Sequence, residues 1–124
     1  MVRAQLEQFR GREIKTTGDG FFATFDGPAR AVRCAQSIIE AARSLAIDVR
    51  ASVHVGECEV RDGDFTGIAV HIGARICGLA ESGEVLATST VRDLVAGSGI
   101  TFAGRGRHTL KGIPDELIIL AAEA

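Results

Sequence analysis

Lys15 and Asp19 flank Thr16-Thr17-Gly18, and Gly20 follows them, at what reads as the tip of a β-hairpin. A carboxylate at such a tip is held out toward solvent or a metal ion, and an ammonium four residues back can act beside it. Taken alone, an Asp-Gly turn is common, and a plain surface hairpin is the better reading of it. A second constellation begins 45 residues after Asp19, at Asp64. Asp64 precedes Gly67, which opens a helical pattern, and His71 and Arg75 follow with the spacing of one helical face. Such a face can aim two donors at an anion. A merely solvated helix face would have the same composition.

The elements that must position these residues can be read from periodicity. Val2, Leu6 and Phe9 recur at helical spacing until Gly11. Arg12 to Thr17 and Phe21 to Phe25 read as paired strands around the Gly18-Asp19-Gly20 turn. Asp26 is expected to cap a helix with Pro28 in its first turn and Val32, Ala35, Ile39, Ala42 and Ala46 as its apolar stripe. Val49, Ala51, Val53 and Val55 alternate with polar neighbours as a half-buried strand, so His54 there reads as structural.

Residues 57–67 form a polar loop or hairpin. From Ile68 to Ala80 the pattern is helical, with Val70, Ala74, Cys77 and Leu79 expected to face inward. Residues 84–87 read as a short strand, and Thr90 with Asp93 as a capping box for a helix through Val95. Beyond Thr101, two or three short strands are expected, broken at Gly104, Gly106, Gly112 and Pro114. Hairpins and helices interleave irregularly, which predicts an α+β fold in one domain covering residues 1–124.

Composition narrows the function classes. The chain is 46% hydrophobic and 24% charged, with a formal charge of -2, which fits a folded globular domain. Neither a basic excess nor interleaved aromatics suggest nucleic acid as a partner; Tyr and Trp are absent. The longest strongly apolar run, Leu117 to Ala122, is too short to span a bilayer, and no leader pattern follows Met1, so a cytoplasmic location is expected. Cys34, Cys58 and Cys77 are odd in number and irregularly spaced, which fits reduced thiols better than zinc or a disulfide framework. Cys34 and Cys77 read as core packers. No P-loop pattern is present.

Both constellations together, in this order, resemble the catalytic domain of the class III nucleotidyl cyclases, the adenylate and guanylate cyclase family. More narrowly, the chain is similar to the cyclase domains frequent in mycobacteria and other actinobacteria. The resemblance runs through Lys15-Thr16-Thr17-Gly18-Asp19-Gly20, Val53-His54-Val55-Gly56, the stretch from Asp64 to Arg75, Gly83-Glu84-Val85-Leu86 and Leu110-Lys111-Gly112-Ile113-Pro114. It implies a ferredoxin-like α+β cyclase domain that works as a head-to-tail dimer with shared active sites.

By this resemblance Lys15 and Asp64 read the purine edge, and that pair suits adenine, so ATP is the expected substrate. Guanylate cyclases usually carry Glu and Cys or similar residues there. Arg75 corresponds to the arginine that stabilises charge at the α-phosphate, and Lys111 to a lysine on the triphosphate. Asp19 corresponds to the second of two aspartates that hold a pair of Mg2+ or Mn2+ ions. His71 stands where the family usually has an Asn that orients the ribose, and a ring nitrogen cannot copy both faces of an amide.

A further departure is larger. The family's domain opens with a strand that supplies the first metal aspartate, and these 124 residues hold no counterpart of it. The resemblance therefore implies an N-terminally truncated domain with an incomplete two-metal site, weak or inactive alone, and an exposed sheet edge covered by a dimer contact. The expected partner is a second copy or a full-length cyclase domain. The competing expectation is a non-catalytic cyclase-homology module for nucleotide binding or dimerisation.

Overall fold

A computed structural model describes residues 2–17, 20–61 and 64–123, with residues 15–17, 60–61 and 64–65 given by backbone alone. Helix α1 (Val2–Gln8) buries Leu6 and leads into the antiparallel pair β1 (Arg12–Thr17) and β2 (Gly20–Thr24). Helix α2 (Pro28–Ser44) follows, then the short strand β3 (Ala51–Val53). A second hairpin, β4 (Glu59–Arg61) with β5 (Asp64–Thr66), runs directly into α3 (Ile68–Cys77). Strand β6 (Val85–Thr88), helix α4 (Ser89–Leu94) and the pair β7 (Phe102–His108) and β8 (Leu117–Ala122) complete the described chain.

The main sheet has the order β3-β6-β8-β7. β3 and β6 are parallel, and the β4–β5 hairpin and α3 form the crossover such a pair requires. The other pairings in this sheet are antiparallel, so the α+β class holds. All four residues of β6 are buried, and they alternate between two cores. Val85 and Ala87 join Val32, Ala35 and Ile39 of α2 together with Val91 and Val95. Leu86 joins Ile72 and Ile76 of α3 together with Leu110, Ile113 and Ile119. The helix that carries His71 and Arg75 is thus held by the second core.

Local expectations fail where a competing residue takes the position. Pro28 opens α2 as expected, but Gly27, in extended conformation, is its N-cap, and Asp26 lies one residue too early. Thr88 is the N-cap of α4, so Thr90 and Asp93 sit inside the helix and form no capping box. Strand β7 continues through Gly104 and Gly106, and the chain absorbs them as a register irregularity between Gly104 and Arg107. On α3 the buried residues are Ala69, Ile72 and Ile76, whereas Ala74 and Leu79 are exposed and Val70 and Cys77 half-buried. Cys34 is buried as expected.

Candidate functional site

The site grows out of the β4–β5 hairpin and the helix it feeds. Gly67 joins β5 to α3 with φ 122°, a left-handed value that favours glycine, and so turns the chain from strand to helix within one residue. Ser52 of β3 donates to the Gly73 carbonyl at 2.6 Å and ties the middle of α3 to the sheet. The sequence shows Ser52 only as a polar residue in an alternating strand, so this anchor carried no local signal.

Strand β1, which carries Lys15, packs against β5, which carries Asp64 at its start. The two strands that hold the proposed base-reading residues are therefore neighbours, and both positions are described by backbone. Asp19 lies outside the described residues.

His71 and Arg75 are exposed on α3, and Lys111 is exposed on the turn between β7 and β8. His71 Nε2 lies 3.2 Å from the Lys111 carbonyl, although 40 residues separate them. A carbonyl oxygen only accepts, so the ring nitrogen donates. The next residue, Gly112, has φ 83°, and a Cβ there would sit 3.2 Å from His71 Nε2. Backbone and ring are in direct contact.

Arg75 and Lys111 line one open cleft of about 360 Å3, with Ala74, Leu79 and Thr109. Among the described residues neither cation has an ion-pair partner, whereas Arg105, Arg43 and Arg3 are paired with Glu84, Glu40 and Glu13. Two unpaired cations in one cleft can receive a polyanion. A second cleft, between the end of α2 and Ser82-Gly83, contains Arg43 and Asp48 and none of the predicted site residues. Among the described residues no three His, Cys, Asp or Glu side chains come together as a metal-binding group, and Asp19 lies outside those residues.

The fold is that of the class III adenylate/guanylate cyclase domains, and the chain is similar to members of that family in structure and in sequence. The crystal structure of an adenylate/guanylate cyclase/hydrolase from Silicibacter pomeroyi superposes on the whole chain with a TM-score of 0.89, at 26% identity and over 79% of that chain. The catalytic core of a rhodopsin-guanylyl cyclase with converted specificity, in complex with ATPalphaS, superposes on 99% of this chain and 76% of that one, with a TM-score of 0.86 at 19% identity.

In sequence, the chain is 36% identical over 113 residues to "Putative adenylate cyclase 3" of Rhizobium meliloti, a match covering 84% of this chain and 19% of that protein. It is 35% identical over 101 residues to an uncharacterized protein of Mycobacterium tuberculosis, covering 78% of this chain and 35% of that protein. The mycobacterial likeness fits the actinobacterial subgroup. The chain spans between about a fifth and about a third of the length of these curated relatives. No family model matches it. No helix among the described residues is long and apolar enough to cross a membrane.

Proposed function

We propose that this chain supplies the base-reading and phosphate-binding half of an adenylate cyclase active site that converts ATP to cyclic AMP and pyrophosphate. The observation that carries the reading is the run of contacts from β1 to β5, from β5 to α3, and from α3 to the Lys111 turn. Lys15 donates to the adenine ring and Asp64 accepts from its amino group. Arg75 neutralises charge that develops at the α-phosphate, and Lys111 holds the triphosphate. The ribose 3′ hydroxyl loses its proton and attacks the α-phosphorus, and the bond to pyrophosphate breaks.

Asp19 is the residue assigned to hold Mg2+ or Mn2+, in a two-metal site that this chain by itself leaves incomplete. A metal pair bound at a complete site would supply activation of the hydroxyl and stabilisation of the leaving pyrophosphate. The partner that completes the site is a longer cyclase domain with its own metal-binding carboxylates, whereas a second copy pairs without completing it. The choice of ATP is supported by the Lys15–Asp64 pair and by the name of the Rhizobium relative. The rhodopsin-guanylyl cyclase of converted specificity, in complex with ATPalphaS, supports the view that one scaffold takes either base.

The test is cyclic AMP formation from ATP with Mn2+, for this chain alone and mixed with a longer homologue disabled at its own base-reading lysine. Activity in the mixture supports the half-site. Silence in both, with nucleotide still bound, supports a non-catalytic cyclase-homology module instead.

A further inference from the structure

At position 71 the chain has an imidazole where the resembling family usually has an amide, and that imidazole already has a partner. Its Nε2 donates to the Lys111 carbonyl. In the neutral ring Nδ1 is then a lone-pair acceptor. The ether oxygen of a ribose is also an acceptor, so the ring has no hydrogen left for it. An amide nitrogen, with two hydrogens, would not face that limit.

We propose that His71 is a positioning residue that holds Lys111 in place beside the phosphate-binding cleft, and does not itself orient the ribose. The inference rests on the reading of Lys111 as a triphosphate ligand. Among the described residues, the turn it acts on is anchored at its two ends. Leu110 and Ile113 are buried in the same core as Ile72 and Ile76 of α3, and Ile113 N–H closes the turn on the Leu110 carbonyl at 3.0 Å. Lys111 and Gly112, between these anchors, are exposed.

His71 fastens that exposed apex back onto α3, and Gly112 gives the ring room to approach, since any side chain there would meet it. One cation of the cleft, Arg75, rides on the helix; the other, Lys111, rides on the turn. The bond from His71 fixes the spacing of the two backbone positions from which these charges extend.

Inorganic tripolyphosphate separates this role from a ribose contact, because it contains neither ribose nor base. Its affinity is measured by titration calorimetry for the wild type, Lys111→Ala, His71→Ala, His71→Asn and His71→Gln. Glutamine reaches about as far as the ring nitrogen with an N–H donor, and asparagine is one bond shorter. Loss of one net hydrogen bond corresponds to a change of about threefold to tenfold. That loss is expected in His71→Ala and His71→Asn, with recovery in His71→Gln.

Full affinity in His71→Ala beside a clear loss in Lys111→Ala overturns the proposal and spares the reading of Lys111. Full affinity in Lys111→Ala removes that reading, and the proposal falls with it. Should His71→Ala not fold, the ring tautomer in the wild type decides by two-bond proton–nitrogen NMR at pH values where the imidazole is neutral. A proton on Nε2 supports the tether, and a proton on Nδ1 overturns it.

Discussion

His54 Nδ1 and Thr88 Oγ1 lie 3.0 Å apart, joining the residue just past β3 to the last residue of β6. Thr88 is buried, and its side chain makes no capping bond to α4 although it occupies the N-cap position. Burial disfavours the charged imidazole and lowers the His54 pKa below its ordinary 6.5. The unfolded chain therefore binds more protons than the folded one between those two values. Stability from this group is complete above the ordinary value and is lost as pH falls through the window below it. Thermal melts between about pH 8 and about pH 5 are expected to show a falling Tm for the wild type and a flatter profile for His54→Gln. Equal slopes would remove His54 as the cause.

Glu84 is likewise held below its ordinary value. The Glu81 backbone N–H at 2.8 Å, first, and Arg105 at 2.7 Å, second, lower its pKa from 4.5. Its contribution is present above that ordinary value and is lost as pH falls through the lowered one. Arg105 is half-exposed, so its removal is expected to matter little, about 0.5 kcal/mol or less. Urea unfolding of Arg105→Ala near neutral pH, compared with the wild type, measures this. Glu84→Ala should lose more, since it also strips the Glu81 N–H of its acceptor.

Ile76 is fully buried on α3, whereas Leu79, three residues on, is 43% exposed. Ile76→Ala leaves a cavity in the core beneath the site helix and is expected to destabilise by about 2–5 kcal/mol. Leu79→Ala should stay within about 0.5 kcal/mol, as surface changes usually do. Denaturant midpoints of the two variants, at equal slope, check the assignment of the buried face. The reverse order would restore the face that includes Leu79.

The proposed base reading predicts a change of preference. Replacing Lys15 by Glu and Asp64 by Cys together removes a donor and an acceptor matched to adenine. Charge-assisted bonds contribute about 1.5–3 kcal/mol each, so preference for ATP over GTP should fall by about tenfold or more. Competition binding of the two nucleotides to the double variant measures it. An unchanged ratio would mean that these positions do not read the base.

Both hairpins, the long amphipathic helix α2 with Pro28 at its start, and the class III motif order were legible in the 124 residues, because each depends on neighbours a few positions apart. Caps were less legible, since a shift of one residue moved the N-cap of α2 from Asp26 to Gly27. The buried face of α3 was not legible at all. Ala69, Val70, Ile72, Ala74, Ile76, Cys77 and Leu79 are apolar on nearly every side, so periodicity fits more than one face. Packing against Leu86, Leu110, Ile113 and Ile119 selected Ile72 and Ile76.

By itself, the sequence determined which cationic and acidic residues the chain carries, and in what order. Tertiary structure alone decided that β1 lies against β5, that Arg75 and Lys111 share a cleft, and that His71 bonds to a backbone carbonyl 40 residues away. The physical reason is range. Propensity and periodicity act over a turn or a strand, whereas these contacts depend on how the sheet order β3-β6-β8-β7 stacks distant segments on one core.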